Sequence, residues 1–405
     1  MTCAEYSESD RRNVLAACCF AAFIAPLLGT MMNLSLVSIG QEFGVGSHSL
    51  AYVNTSFLLS SVIFMVPMTR IGDIYGKRAM FLAGVALTPL ASLLAAFSPD
   101  FWFLIGCRVL MGVGSAAVMT TSISMITDVF PSVRRGAAIG MQTMCSYVGF
   151  AAGPPLGGAM NDLFGWGSLF LLIVPISLLA VASMSLFKGE IRPDEGGSLD
   201  HKGSLLYGVG MMLGMLGMVN LPEPWAAVSL VAGLAVLVVF VRWQLSCASP
   251  VLNVRLFRGR VFSGSCLAAF LNYMASCSLS YFLALYLQSI GGLSSMEAGL
   301  LMIIQPAVQA VGTPYFGRIS DRMGDKRILP TAGMLITAAG ISTVMLYDTA
   351  PSFPLTVLTM ILVGLGLSVF CAPNTSVIMG SVDPRSTGEA SAMVAVMRQT
   401  GMMVS

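Results

Sequence analysis

The sequence predicts an all-α membrane protein, and three observations support that fold class. Of the 405 residues, 56% are hydrophobic and only 10% are charged, a composition outside the range of soluble globular domains. Apolar runs of about 18 to 25 residues recur along the whole chain, and each is long enough as a helix to cross a hydrocarbon layer about 30 Å thick. Between these runs, Lys and Arg occur only in alternate breaks.

Polar breaks divide the chain into thirteen runs. Six of them occupy residues 13–38, 50–69, 79–97, 101–126, 136–160 and 168–187. Two shorter runs follow at 203–221 and 224–242, and four more at 261–288, 296–316, 328–347 and 354–376. The thirteenth begins near Gly388, and the sequence ends at Ser405. Because each run exceeds the length of a typical strand, we expect one helix from each.

The alternation of charge predicts the orientation of the chain in the membrane. With the N-terminus in the cytoplasm, every Lys and Arg between the runs lies on the cytoplasmic side, as expected for loops that are not translocated. The run after Arg11 and Arg12 is too long for a signal peptide and is interpreted as the first membrane helix. We therefore expect a multi-pass protein of the plasma (inner) membrane with a cytoplasmic N-terminus.

An internal repeat predicts how the helices are grouped. The turn around Asp73 recurs around Asp321, 248 positions later, and the Gly112 pair recurs at Gly364, 252 positions later. We therefore expect two pseudo-symmetric six-helix bundles. The predicted domains are residues 1–190 for the first bundle, 191–255 for a linker with two inserted helices, and 256–405 for a second bundle that we expect to be incomplete.

The fifth run carries a glycine pattern that favours close helix packing. Gly149, Gly153 and Gly157 are four residues apart, so they share one helix face and allow another backbone to approach. Pro154 and Pro155 remove backbone donors and bend the helix at that contact. Two interpretations remain open, a hinge or seal between moving parts and ordinary tight packing.

The repeated turn places one acid among several bases at the membrane surface. Asp73 lies between Arg70 and the pair Lys77 and Arg78, and Gly76 permits a sharp reversal of the chain. A charged group at such a position can hold or release a neighbouring helix end. The turn therefore either holds and releases a neighbouring helix end or is a simple topological anchor.

These segments resemble the major facilitator superfamily, in particular its 14-spanner drug:proton antiporter family of multidrug efflux type. Residues 149–158 fit gxxxGPxxGG at every fixed position, and the Asp73 turn matches GxLaDrxGrkx except for Thr69 in place of the first Gly. Residues 104–117 match the fourth-helix motif, with Met111 in place of Gln. The resemblance implies an antiporter motif at Gly149, Gly153, Pro154, Gly157 and Gly158, and a cytoplasmic gate at Asp73, Gly76, Lys77, Arg78, Asp321 and Gly324.

Two arginines lie inside apolar runs, and the first of them predicts a wet cavity. Arg108 is about seven residues inside the fourth run, where an ionised side chain facing lipid costs at least about 2.5 kcal/mol. Snorkelling to the outer interface and bonding to backbone carbonyls are the alternatives. The predicted cavity or coupling residues are Arg108, Thr30, Asn33, Asn272, Gln305, Gln309 and Arg398. For each amide taken alone, a plain interhelical hydrogen bond is the slightly favoured interpretation.

The departures from the family pattern concern ion coupling. The acid that the family usually carries in its first helix is replaced here by Leu28, and no other run holds Asp or Glu at depth. The proton-coupling residue is therefore unidentified. Two buried arginines without a matching acid favour an anionic or neutral substrate.

The resemblance implies a secondary active transporter that exports lipophilic drugs or other small molecules by proton-coupled alternating access. Two alternatives stay open, an exporter of an anionic metabolite or amphiphile and a non-transporting membrane receptor or scaffold. The expected partners are a small-molecule substrate, protons and the lipid bilayer, and the expected state is a monomer. Nine scattered cysteines without a Cys/His pairing indicate no metal site, and we expect no cofactor, no nucleic-acid partner and no enzymatic activity.

Overall fold

The computed structural model describes residues 6–187, 189, 199–221, 223–247, 250–289, 291–293, 295–323, 325–347, 352–383 and 386–404. The side chains of Asn33 and Pro154 lie outside this description, as does the whole of Gly324.

The described residues form α-helices joined by short turns, and no strand occurs among them. In the first half the helices are α1 (Glu8–Phe43), α2 (Ser47–Tyr75), α3 (Lys77–Ala96), α4 (Phe101–Val129), α5 (Ser132–Phe164) and α6 (Gly167–Ser185). Two further helices follow, α7 (His201–Val219) and α8 (Pro224–Ser246). The remainder are α9 (Arg260–Ser289), α10 (Ser295–Met302), α11 (Ile304–Arg322), α12 (Ile328–Ser342), α13 (Phe353–Gly380) and α14 (Thr387–Val404). Short 3₁₀ helices occupy Val254–Arg258 and Thr343–Leu346.

The predicted all-α class is confirmed, and the largest departure from the predicted helices is in the tenth run. That run is divided into α10 and α11, with Ile303 between them. Pro306 has no amide hydrogen to donate to the carbonyl of Met302, the last residue of α10, so the helical ladder is interrupted there. Other helices extend a few residues past the apolar runs because polar residues cap them; Ser7 and Asp10, for example, form a capping box at the start of α1.

Eight of the described helices are long and apolar enough to cross a membrane, for example Phe101–Val129 and Phe353–Gly380. Helices α1 to α6 pack on one another, and α9 to α14 form a second group. We refer to them as the first and second bundles. The domain boundaries given above remain predictions.

Glycines show that the two bundles are built alike. A Cβ on Gly114 of α4 would lie 2.9 Å from the Gly84 carbonyl oxygen of α3. In the second bundle, a Cβ on Gly366 of α13 would lie 2.9 Å from the Gly333 carbonyl oxygen of α12. In each bundle a threonine one turn further on, Thr88 or Thr337, donates its hydroxyl to that same glycine carbonyl, at 3.0 Å. The sequence repeat is therefore a repeat of helix packing.

The two inserted helices pack on each other, and α7 also packs on α2. Asp200 caps α7 through Gly203 N and also accepts hydrogen bonds from Trp243 and Gln244 of α8. The Tyr207 hydroxyl of α7 donates to the Val62 carbonyl of α2 at 3.0 Å. The Asp200 carboxylate thus joins α7 to α8, and the Tyr207 hydroxyl attaches α7 to the first bundle.

One end of the molecule, which we call the basic end, brings together Arg11, Lys77 and Arg134 from three different turns. Arg11 near the start of α1 donates to the Val129 carbonyl at the end of α4. Lys77, which begins α3, lies 2.7 Å from Asp128 of α4. At the opposite end, the Trp166 indole donates to Glu42 across the α1 and α5 termini. Which side of a membrane each end faces remains a prediction.

Candidate functional site

A cavity of about 420 Å³ lies between the two bundles. Residues of α1, α2, α3, α4 and α5 line it from the first bundle, and residues of α9 and α14 line it from the second. This volume falls within the range of pockets that bind drug-sized molecules. Three of the predicted residues line it: Arg108, Thr30 and Arg398.

Arg108 is 1% exposed and its guanidinium is held against α2. Nε donates to the Val53 carbonyl at 2.8 Å, and Nη2 donates to Asn54 Oδ1 at 3.2 Å. The Phe57 ring lies 4.9 Å from Cζ, close enough for a cation–π contact. Among the described residues, Nη1 has no hydrogen-bond partner. The side chain does not snorkel; it combines backbone bonding with a position on the cavity wall.

The second bundle contributes another cation. Arg398 and Gln399 of α14 line the cavity together with Tyr273 and Cys277 of α9. None of the described residues that line the cavity is an aspartate or a glutamate. The cavity therefore carries two guanidinium groups, one from each bundle, and no lining carboxylate to balance them.

The contact between α1 and α5 forms one wall of the cavity. A proline in α1 leaves one backbone carbonyl in this wall without its usual helical donor. Pro26 has no amide hydrogen for the Ala22 carbonyl one turn earlier, and Ser146 of α5 donates its hydroxyl to that carbonyl instead, at 3.1 Å. The Thr30 hydroxyl donates to the Pro26 and Leu27 carbonyls of its own helix. The hydroxyls of Ser146 and Thr30 therefore already donate to backbone carbonyls, although both residues line the cavity.

The glycines of the fifth helix bring α5 against this part of α1. A Cβ on Gly149 would lie 2.6 Å from the Phe23 carbonyl oxygen, one on Gly153 would lie 2.7 Å from Thr30 Cβ, and one on Gly157 would lie 2.9 Å from Met31 Cα. These contacts are within the first bundle. They match the close packing expected from the four-residue spacing, and a hinge function for this segment, which includes Gly158, remains a prediction.

Two carboxylates at the basic end connect the bundles. Asp321, at the end of α11, accepts hydrogen bonds from the backbone amides of Gly136 and Ala137 in α5, both at 3.0 Å. Asp73, at the end of α2, lies against α14, where a Cβ on Gly388 would be 2.6 Å from Asp73 Oδ1. We call these contacts the Asp321 latch and the Asp73 latch. Each joins the end of one helix to the first turns of a helix in the other bundle.

A network of buried polar groups reinforces the Asp73 latch. Lys77 Nζ lies 2.7 Å from Asp128 Oδ2, 3.9 Å from Asp73 Oδ1 and 3.3 Å from the Thr387 hydroxyl of α14. Thr387 in turn donates to Asp128 at 3.1 Å. Gly76 has a φ of 106°, a backbone conformation that favours glycine, and this reversal directs Lys77 toward the network. Arg78 follows on the same turn and is half-buried.

The remaining predicted residues lie elsewhere. Asn272 and Gln309 are buried, and neither they nor Gln305 belong to the residues that line the cavity. Gln305 lies on α11, where its carbonyl oxygen would be 2.8 Å from a Cβ on Gly364. The side chains of Asn33 and Pro154, and Gly324, lie outside the described residues.

Sequence analysis missed several residues of the cavity wall. Asn54 of α2 and Gln142, Tyr147 and Phe150 of α5 line it. A signal was present in α5, since Gln142, Ser146 and Phe150 recur every four residues and share one face. For Asn54, the position in an apolar run gave no indication that Arg108 would bond to it.

The chain belongs to the major facilitator superfamily, since the model of that family matches residues 18–405. Among curated relatives, a riboflavin transporter of Clostridioides difficile is 26% identical, with 95% of this chain and 84% of the relative covered. The multidrug efflux pump LfrA of Mycolicibacterium smegmatis is 28% identical, with 100% and 82% covered. The multidrug resistance protein Stp of Mycobacterium tuberculosis is 26% identical, with 94% and 72% covered.

Solved structures show the same fold. The human organic anion transporter MFSD10 superimposes with a TM-score of 0.68 at 16% identity, with 98% of this chain and 91% of that chain covered. The proton:xylose symporter XylE superimposes with a TM-score of 0.67 at 13% identity, with 98% and 87% covered. The chain is thus a multi-pass membrane protein of a family whose members are transporters and not enzymes.

Proposed function

We propose that this chain exports lipophilic small molecules across the plasma membrane by alternating access, with proton entry as the source of energy. The observation that carries the proposal is a cavity between two pseudo-symmetric bundles that contact each other through latches at the basic end. Rocking of the bundles about such a cavity is how carriers of this architecture work.

The latches supply a switch for the rocking motion. Asp321 accepts two amide hydrogen bonds from α5, and an ionised acceptor makes such bonds roughly twice as strong as neutral ones. The early turns of a helix also favour negative charge. Opening at the basic end therefore requires separation of Asp321 from α5 and of Asp73 from α14.

The two latch residues are acids, and their protonation gives protons a role in the motion. Protonation of Asp321 or Asp73 removes the charge that holds the latch, so a proton at the basic end favours its opening. This assignment replaces the first-helix acid of the related antiporters, whose position is held by Leu28, a residue that lines the cavity. Coupling through the latches needs no carboxylate on the cavity wall.

Export is tested with a lipophilic dye in cells that produce the chain, with and without a protonophore. We expect dye efflux above that of empty cells and its loss when the proton gradient is collapsed. Replacing Arg108 by Ala should lower efflux at least about tenfold, because a charge-assisted contact at the cavity is lost. Arg134→Ala is the matched control, since Arg134 pairs with Glu8 at an exposed site away from the cavity. Equal efflux by the Arg108→Ala and unmodified chains would refute the cavity role.

The same assay separates the proposal from the alternative of a non-transporting receptor or scaffold. A protein that only kept the fold would show no protein-dependent movement of any dye. Loss of latch charge, as in Asp321→Asn, should leave efflux measurable and reduce its dependence on the proton gradient. An unchanged response to the protonophore in that variant would refute coupling through the latches.

A further inference from the structure

The charge balance of the cavity identifies the class of molecule that it would accept. Arg108 and Arg398 line it from opposite bundles, and no described lining residue carries a carboxylate. A charged group out of water requires a compensating partner. A cationic substrate would add a third positive charge to this enclosure, whereas an anion would supply the missing counter-charge.

Arg108 is oriented for such a partner. Nε and Nη2 are occupied by the Val53 carbonyl and Asn54 Oδ1, and Phe57 covers the guanidinium. Nη1 is left without a hydrogen-bond partner among the described residues, although the side chain is 1% exposed. The two occupied nitrogens and the ring fix the plane of the group, so that an acceptor oxygen can be bound at Nη1 with little loss of side-chain entropy.

The rest of the wall favours an apolar, flat body attached to that anion. Phe57 and Phe150 come from the first bundle, together with Met111 and Met119, and Met402 comes from the second. Aromatic rings stack on planar groups, and unbranched thioethers adapt to varied shapes. The volume of about 420 Å³ admits a molecule of a few fused rings.

We infer that the substrates of this cavity are amphiphilic organic anions, in which an aromatic body carries a carboxylate, sulfonate or similar group that binds Arg108, with Arg398 as the second cation. The inference rests on the proposed function and specifies its substrate class. It narrows the lipophilic small molecules of that proposal to anions, because Arg108 and Arg398 line the cavity where a cation would need carboxylates.

The test is counterflow in proteoliposomes, which needs a carrier but no ion gradient. Liposomes containing the full chain are loaded with either pyrenesulfonate or pyrenylmethyl trimethylammonium, and exchange with the same external dye is followed. The two probes share the aromatic body and differ in the sign of a permanent charge. We expect at least about tenfold faster exchange of the sulfonate, the difference expected from one charge-assisted contact.

Variants identify the residue responsible. Arg108→Gln should slow sulfonate exchange about tenfold, and Arg108→Lys, which keeps the charge, should recover part of it. Arg134→Gln removes an exposed positive charge outside the cavity and should exchange sulfonate at the unmodified rate. Size-exclusion profiles and thermal unfolding of each variant verify that it is folded.

Each outcome has a distinct meaning. Exchange of the ammonium probe without the sulfonate overturns the substrate class and leaves the proposed transport function standing. Exchange of neither probe by a folded, reconstituted chain counts against transport itself and removes the basis of the inference. Equal sulfonate exchange by Arg108→Gln and the unmodified chain overturns the assignment to Arg108.

Discussion

Two ion pairs at the basic end differ in burial. In the Lys77–Asp128 pair, the side chains are 9% and 20% exposed, whereas in the Arg134–Glu8 pair they are 64% and 70% exposed. Removing one partner of a buried pair leaves an uncompensated charge, while an exposed pair is solvated and screened. Loss of the buried Lys77–Asp128 pair should therefore cost more stability than loss of the exposed Arg134–Glu8 pair.

Replacing Lys77 by Met should destabilise the protein by about 3 kcal/mol, because Asp128 would lose the ammonium group that lies 2.7 Å from its Oδ2. Thr387 of α14 also loses its hydrogen bond from Lys77, so part of the lost stability comes from a weaker contact between the bundles. Unfolding in detergent micelles, monitored by circular dichroism, measures the change.

Arg134→Met is the control, with an expected cost below about 1 kcal/mol. Both substitutions remove one positive charge and introduce the same side chain. Equal destabilisation by the two would contradict the assignment of the Lys77 network as a buried structural element.

Two kinds of contact join helices in this protein, close backbone packing and side-chain hydrogen bonds. The Gly149, Gly153 and Gly157 face fixes α5 on α1 at backbone distance, and van der Waals packing of this kind is the main attraction between helices in lipid. Asp200 instead clamps α7 to α8 through hydrogen bonds. The first contact depends on shape and the second on satisfying polar groups.

Gly153→Val should destabilise the first bundle by about 1 to 3 kcal/mol, because overpacking forces the neighbouring backbone apart. A Cβ at this position would overlap Thr30, whose Cβ would be only 2.7 Å away. Thermal unfolding monitored by size-exclusion chromatography provides the measurement. Gly106→Val is the control, since a Cβ there meets no described atom outside its own stretch of helix within 4 Å. Similar losses in both variants would argue against a steric cause.

Asp200→Ala should lower the stability of the α7–α8 pair by about 0.5 to 2 kcal/mol, the range for loss of an N-cap. The Trp243 and Gln244 donors lose the same acceptor, so hydrogen exchange in residues 201–210 and 240–246 should increase. Glu223→Ala is the comparison, because Glu223 occupies the N-cap of α8 without a side-chain cap bond. Unchanged exchange in Asp200→Ala would show that packing alone holds the pair.

For the whole molecule, the two latches are a symmetric pair of contacts between the bundles. Asp73 and Asp321 are repeat equivalents, and the helix segments they meet, at Gly388 and Gly136, lie 252 positions apart like the Gly112 and Gly364 pair. Each bundle thus supplies one acid and one receiving helix. Both contacts need the bundles in register, so in the proposed mechanism closure at the basic end depends on the relative position of the bundles.

The double variant Asp73→Asn and Asp321→Asn should shift the molecule toward opening at the basic end about tenfold. The amide hydrogen bonds that Asp321 accepts from α5 would then go to a neutral group, and Asp73 would lose its charge beside α14. Hydrogen exchange of residues 132–140 and 387–392 should rise accordingly. Asp325→Asn is the control, because Asp325 is exposed on the same turn and accepts a hydrogen bond from Arg327 N at 3.0 Å. Equal exchange in the double variant and the control would contradict the latch.

Sequence by itself determined the membrane class, the helices and the repeat, because hydrocarbon thickness fixes helix length and apolar periodicity is local information. Arg108 was also identified from sequence, since an ionised side chain in an apolar run is costly wherever it points. The break at Ile303 was missed because the apolar pattern continues across it, although Pro306 gave a local signal.

Only the tertiary structure decided which side chains meet. It assigned Arg108 to Val53 and Asn54, separated Gln305 and Gln309 from the cavity wall, and brought Asp321 to Gly136. These contacts join residues far apart in the chain and depend on how each helix is rotated about its axis. In a chain this hydrophobic, helix rotation is fixed by small-residue packing and a few polar bonds, so periodicity alone does not specify it.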